Sequence, residues 1–302
     1  MGSFSVLNNI PSVNGQNQLY VNNLNLARTL NRLASGKRIN SGADDAAGLQ
    51  IADSLRGNVM ALNQAARNAA DGISVLQIAD GALSQVTDLL WRAATLAEQA
   101  ESEIISPSGR NALQQEYSLI QAEIDRIGKD TNFNGQLLFQ SGQFTHVSVG
   151  LRDGLPESQQ TSNARLDVFV GDLSVTNSYI SVSIGTLAFS ALGNNGAASI
   201  HSGAQLNVTG QATAALAYLK EALGTVAIMR GSIGAGMNRL QAAINVINVT
   251  SQNTLAAESG IRDANMAEEI SNLTKYQILA QTGMAALAQA NTNAQNVLSL
   301  LR

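Results

Sequence analysis

Reactive side chains are sparse in this 302-residue chain, and their spacing decides against most chemistries. The two histidines, His146 and His201, are far apart, and neither has a second histidine at metal-ligand spacing. Cysteine is absent, which removes disulfides, thiol catalysis and thiolate metal sites. Asp44 and Asp45 are adjacent carboxylates of the kind that share acid–base work. They stand at a helix start, however, where carboxylates cap backbone N–H groups and oppose the helix dipole, and capping is the favoured role. No phosphate-cradling glycine loop, dinucleotide fingerprint, nucleophile elbow or His-Glu-x-x-His is present. Arg230 is the lone charge in a long apolar stripe and needs an acidic or carbonyl partner, or a path to water. Trp91, the only tryptophan, reads as a packed helix residue more than as a recognition anchor. The expectation is a non-enzyme with no cofactor and no metal.

The elements that carry these residues are long helices, and the two ends of the chain organise them. Steps of three and four from Ile270 pick out Leu273, Gln277, Ala280, Met284, Leu287, Asn291, Ala294, Leu298 and Leu301, a heptad stripe running almost to the C-terminus. No Asp, Glu, Lys or Arg occurs from Tyr276 to Leu301, so this helix has no charged face for water. Its many amides would go unsatisfied in hydrocarbon, which excludes a membrane span there. The other end matches it: Met1 to Ala27 is uncharged, and Leu19, Leu26 and Leu33 recur every seven residues with Leu30 between. The termini read as partners, but not as sufficient ones. Burying about ten stripe side chains gives at most ~15–25 kcal/mol at ~1.5–3 each. Ordering some thirty backbones costs ~1–2 kcal/mol per residue. Other copies must supply the rest.

Between the ends, Gly36 to Gly42 reads as a linker, with Ser41 and Asp44 in capping-box spacing. An amphipathic helix follows through Ala69, Ile73, Leu76, Leu83, Val86, Leu90, Ala93 and Ala97, with Gly72 and Gly81 inside it. Glu103 to Gly109 is a turn and Ser108 a candidate cap. Leu113, Tyr117, Ile120, Ile124 and Ile127 form the next helix, and Gly128 is placed to end it. Asn132-Phe133-Asn134-Gly135 has hairpin chemistry, and from about Leu137 to Leu192 the period falls to two. A regular heptad returns from Leu216 to Ile247, where Gly231, Gly234 and Gly236 suggest tight packing. Asn253 to Ala264 reads as a second linker.

The fold class expected is mainly α: a long helical bundle and coiled coil with paired terminal helices and a small β-hairpin-rich insert. A net charge of −4 and the lack of a basic run argue against nucleic acid. No conventional secretory signal and no apolar run of membrane-spanning length are read.

Several stretches carry a family resemblance. Arg32-Leu33-Ala34-Ser35-Gly36-Lys37-Arg38-Ile39-Asn40-Ser41, followed by Asp44-Asp45-Ala46-Ala47-Gly48, resembles the N-terminal signature of bacterial flagellin. Arg67-Asn68-Ala69-Ala70-Asp71-Gly72-Ile73-Ser74, Gln121-Ala122-Glu123-Ile124-Asp125-Arg126-Ile127 and Phe133-Asn134-Gly135 resemble it in the same order. So do Leu287-Ala288-Gln289-Ala290-Asn291 and Gln295-Asn296-Val297-Leu298-Ser299-Leu300-Leu301-Arg302. The resemblance implies a minimal flagellin, a structural subunit that self-assembles into the flagellar filament for swimming. Residues 1–43 with 257–302 would form an inner tube, and 44–256 an outer bundle whose 137–205 insert makes a solvent-facing β tip. Assembly would run through Leu19, Leu26, Leu30, Leu33, Ile270, Leu273, Met284, Leu287, Leu298 and Leu301. The implied partners are identical subunits, an export chaperone and export apparatus, and the filament cap and hook-associated proteins. A host Toll-like receptor would contact Arg92, Leu96 and Glu116. Nucleic acid and membrane insertion are not expected. The implied location is extracellular, reached by export without a cleaved signal peptide. A hook–filament junction protein and a surface adhesin are the competing readings.

Overall fold

The computed structural model describes residues 9–139, 146–149, 165–171, 178–189, 192, 206 and 211–300. Five helices dominate: α1 (Ile10–Ser35), α2 (Ala46–Glu101), α3 (Pro107–Asp130), α4 (Gln211–Arg262) and α5 (Met266–Leu300). The strands are β1 (Asn132–Phe133), β2 (Gln136–Leu137), β3 (His146–Val149), β4 (Arg165–Phe169) and β5 (Tyr179–Ser183). The mainly α class with paired terminal helices is therefore observed. Compactness divides the chain into one unit of Met1–Gly57 with Asn253–Arg302 and another of Asn58–Gln252.

In the second unit, α2, α3 and α4 share one core. Leu76, Leu83, Val86 and Leu90 of α2 meet Tyr117 and Ile124 of α3 and Leu219, Val226, Ile233 and Leu240 of α4. Tyr117 stands edge-on to Phe189, with ring centroids 6.2 Å apart. The β1–β2 hairpin turns through Asn134 (φ 52°) and Gly135 (φ 79°), the pair of left-handed residues its Asn-Gly sequence foretells.

The β insert packs one face on the helices. Its three-stranded sheet has the order β3-β4-β5, parallel between β3 and β4 and antiparallel between β4 and β5. Leu166, Val168, Val182 and Ile184 point into the helical core and are at most 3% exposed. Two helix glycines make this possible. A Cβ on Gly72 would lie 2.7 Å from Val168, and one on Gly236 would lie 2.6 Å from Val182. These glycines are notches that let a sheet approach a helix, whereas Gly81, Gly231 and Gly234 have open space around them. The segment after β5 continues inward. Leu187 N donates to Phe139 O (3.1 Å), Phe189 N donates to Asp125 Oδ1 (2.7 Å) and Leu206 N donates to Gln114 Oε1.

Several boundaries move. Gly128 does not end α3, which runs to Asp130. It is buried, and its missing side chain leaves room for the Leu187 carbonyl. Ser106 rather than Ser108 caps α3, its Oγ accepting from Gly109 N. Most of the expected second linker is helix, because α4 continues to Arg262. Trp91 is 60% exposed rather than packed. The expectation that no apolar run reaches membrane-spanning length is also corrected: α4 is long and apolar enough by length and composition, with an 18-residue window of mean hydropathy 1.2. Its stripe of Leu219, Ala222 and Val226 is buried in the bundle core.

Candidate assembly surface

Arg230 and Asp80 form an ion pair on the bundle. Arg230 Nε donates to Asp80 Oδ1 at 2.8 Å, and that bond raises the guanidinium pKa above its ordinary value. The expected acidic partner exists, but both side chains are about one-third exposed, so the pair is a bundle-surface ion pair. Asp44 and Asp45 serve the chain turn. Asp44 Oδ2 accepts from Asn40 N (3.2 Å), Ser41 N (3.0 Å) and Ser41 Oγ (3.0 Å); bonds to the Ser41 and Asn40 amides hold its carboxyl below the usual range. Asp45 Oδ1 accepts from Gly48 N (2.9 Å) and so caps α2. Among the described residues no cluster of metal-ligating side chains occurs.

The first unit is where the unusual surface lies. Asn9 caps α1 by accepting from Ser12 N, and Gly36 ends it in the left-handed conformation (φ 71°). The two linkers then bind each other. Arg38 N donates to Arg262 O (2.7 Å), Ala264 N to Gly36 O (3.0 Å) and Arg38 Nη2 to Ile261 O (2.8 Å). Arg262 Nη1 is 3.0 Å from Asp53 Oδ1. These contacts return α5 antiparallel along α1.

The seam between α1 and α5 is a full heptad on both sides. On α1 it comprises Ser12, Gly15, Leu19, Asn22, Leu26, Thr29 and Leu33, all buried or half-buried. On α5 it comprises Glu269, Leu273, Tyr276, Ala280, Gly283, Leu287 and Ala290. Leucines fill glycine notches reciprocally: a Cβ on Gly15 would lie 3.1 Å from Leu287, and one on Gly283 would lie 2.9 Å from Leu19. Several polar seam residues bond across the pair, while Arg32 Nε and Glu269 Oε2 are buried without a hydrogen-bond partner. Asn22 Nδ2 donates to Tyr276 O (2.9 Å), Ser12 Oγ to Asn291 Oδ1 (3.1 Å) and Asn9 Nδ2 to Ala290 O (3.3 Å). Arg32 Nη1 pairs with Glu269 Oε1 at 3.4 Å.

Of the residues expected at contacts between subunits, Leu19, Leu26, Leu33, Leu273 and Leu287 lie in this intrachain seam, and Leu30, Ile270 and Met284 lie outside it. Those three are 47%, 51% and 58% exposed. The α5 seam instead takes Tyr276, Gly283 and Ala290, whose small or polar character hides them from a hydropathy count. Ser12, Gly15 and Asn22 were missed for the same reason, although their three-and-four spacing was present to be read. Leu298 lies in α5, and Leu301 lies outside the described residues. The outward faces remain apolar: Ile10, Val13, Tyr20, Val21 and Leu24 on α1, and Ile278 and Leu279 on α5, are 43–67% exposed. A helix pair uncharged up to Ala27 on α1 and from Tyr276 on α5, with this much bare apolar side chain, has a surface suited to burial by other chains.

Of the three residues expected at a receptor, Arg92 and Glu116 are exposed and joined by a 2.6 Å ion pair. Leu96 is corrected: it is fully buried in the bundle core, where no outside partner can reach it.

Fold and surface together define a structural protein of the self-associating, coiled-coil kind. Comparison with known proteins narrows this. The bacterial flagellin N-terminal helical region matches residues 6–144, and the bacterial flagellin C-terminal helical region matches residues 216–301. The flagellar filament 31.3 kDa core protein of Treponema maltophilum is 35% identical over 296 residues, covering 97% of this chain and 98% of that protein. The flagellar filament 33 kDa core protein of Treponema phagedenis is 37% identical over 298 residues, and the flagellin of Bacillus subtilis (strain 168) is 36% identical over 311 residues. Both matches cover 97% of this chain and 98% of the relative. The chain belongs to the bacterial flagellin family.

Proposed function

We propose that this chain is the structural subunit of a bacterial flagellar filament, self-assembling for swimming motility. The observation that carries the reading is the α1/α5 pair: a closely packed seam inside the chain and bare apolar side chains outside it, with no charge from Met1 to Ala27 or from Tyr276 to Leu301. Burial of these faces among copies offsets the conformational entropy of ordering two long helices, which the single seam does not. On this reading the terminal unit forms the inner tube and the Asn58–Gln252 bundle the outer wall. Leu19, Leu26, Leu33, Leu273 and Leu287 shape the hairpin, while Leu30, Ile270 and Met284 face neighbouring copies.

The family relation supports an exported, extracellular filament, with an export chaperone, the export apparatus, the cap and hook-associated proteins as partners. Exposed Arg92 and Glu116 are the residues left to contact a host Toll-like receptor. Electron microscopy of the purified chain after seeding tests the filament reading: long filaments are expected, whereas short adaptors or persistent monomers would overturn it.

A further inference from the structure

Three Asn-Gly pairs occur in the chain, Asn14-Gly15, Asn134-Gly135 and Asn195-Gly196. In such a pair the glycine amide nitrogen, unhindered by a neighbouring side chain, is placed to attack the asparagine Cγ. Closing that five-membered ring needs the nitrogen swung round to the Cβ side of the asparagine. Neither a right-handed helix nor a left-handed turn residue has that backbone conformation, so a fixed backbone protects the pair. Asn134-Gly135 is fixed in this way. Both residues are left-handed in the β1–β2 hairpin, its strands pair Asn132 with Leu137 and Phe133 with Gln136, and Leu138 and Phe139 beyond it are buried. Asn195-Gly196 lies outside the described residues.

Asn14-Gly15 is held only as firmly as α1 is. The pair forms the fifth and sixth residues of that helix, both poor helix formers, close to an end that frays. Asn14 is exposed, and what overlies Gly15 is the Leu287 side chain, 3.1 Å from the place a Cβ would take. Among the described residues no hydrophobic side chain of α1 or α5 is buried; those that are buried are Ser12, Asn22, Thr29 and Glu269. A helix pair without a dry apolar centre opens at low free-energy cost, and each opening frees the backbone at Gly15.

We propose that Asn14-Gly15 is a deamidation site that ages the unassembled subunit, an inference that rests on the filament reading above. Gly15 N gives up its proton and bonds to Asn14 Cγ, the Cγ–Nδ2 bond breaks, and the nitrogen leaves with the proton as ammonia. Water then opens the cyclic imide to aspartate or to its isoaspartyl isomer, in which the main chain runs through the side-chain carboxyl carbon. Either product is disruptive here. Aspartate sets a carboxylate in the uncharged stretch from Met1 to Ala27, where packing among copies leaves it no partner. Isoaspartate lengthens the backbone by one atom, so Asn9 and Ser12 fall out of step with Gly15 and lose their bonds to Ala290 and Asn291. Polymerisation holds α1 helical and stops the reaction. The filament therefore keeps intact subunits while the unassembled pool loses competence.

Unassembled chain and filaments are incubated side by side at mildly alkaline pH, which favours the deprotonated amide, and peptide mass spectrometry follows the Asn-Gly pairs. Asn14 should convert roughly tenfold or more faster in the unassembled chain than in filaments, and faster there than Asn134. Seeded polymerisation should decline in step with Asn14 conversion, while the bundle melts at an unchanged temperature. Asn14→Gln, whose longer side chain does not close the five-membered ring, should keep its competence through the same incubation. Equal Asn14 rates in the two forms, or an Asn14→Gln chain that loses competence as fast as wild type, would overturn the proposal and leave the filament reading intact. A wild-type chain that never polymerises would remove both.

Discussion

Substituting Gly128→Ala puts the account of the bundle to a quantitative test, because the same change has opposite effects at different helix glycines. In an exposed helix interior, Gly→Ala gains ~1 kcal/mol. At Gly128 the new methyl would lie 2.0 Å from the Leu187 carbonyl oxygen, a backbone atom that cannot rotate away. That carbonyl belongs to a segment fixed on both sides, by Leu187 N to Phe139 O and by Phe189 N to Asp125 Oδ1, with Leu187 and Phe189 buried. Overpacking a core costs ~1–3 kcal/mol, and loosening one of those hydrogen bonds adds ~0.5–1.5 kcal/mol. Set against the propensity gain, the net is a loss of ~1–3 kcal/mol, or roughly 3–10 °C in melting temperature for a domain of this size. Gly231→Ala, in open space on α4, should instead raise the melting temperature by roughly 2–4 °C. Thermal unfolding of the unpolymerised chain, followed by circular dichroism, compares them. If Gly128→Ala matched or exceeded Gly231→Ala in stability, the insert segment would not be packed on α3 as described.

Other consequences follow from single residues. A double-mutant cycle with Arg230→Leu and Asp80→Asn should show a coupling of ~1 kcal/mol or less, since both groups are partly solvated; a value several times larger would mean the pair is desolvated. Burial pushes the Tyr117 hydroxyl up to about 12 from 10.0. Its contribution is therefore whole below about pH 10 and is lost as pH rises from there to about 12, and Tyr117→Phe should flatten that alkaline slope in a stability–pH curve. Leu287→Asp sets a carboxylate against Gly15 in the uncharged seam; pelleting should show filaments abolished, with the bundle melting unchanged.

Much of this was legible in the sequence because helix burial is periodic and these helices are long. The stripes of α2, α3 and α4, the Asn134-Gly135 hairpin and the pairing of the termini all follow from spacing. The phase of the α5 seam did not, because close packing there is achieved by removing side chains. Gly283 receives Leu19, and Gly15 receives Leu287, so two of the tightest points score as weak positions on any hydropathy count. The packing face of the β insert was hidden for a related reason. Its alternation announces strands but not which surface they cover, and the notches at Gly72 and Gly236 are recognisable only once Val168 and Val182 are seen above them. Leu96 shows the limit of transferring roles by motif, since its side chain points into the core while its neighbour Arg92 faces out.

Amide hydrogen exchange, compared between the unassembled chain and its polymer, bears most directly on the claim that the terminal helices are assembly elements. The account predicts weak protection along α1 and α5 in the single chain and strong protection in the polymer. The buried stripes of α2, α3 and α4 should be protected in both, because their core is complete within one chain. Strong protection of α1 and α5 before assembly, or no gain on assembly, would contradict it.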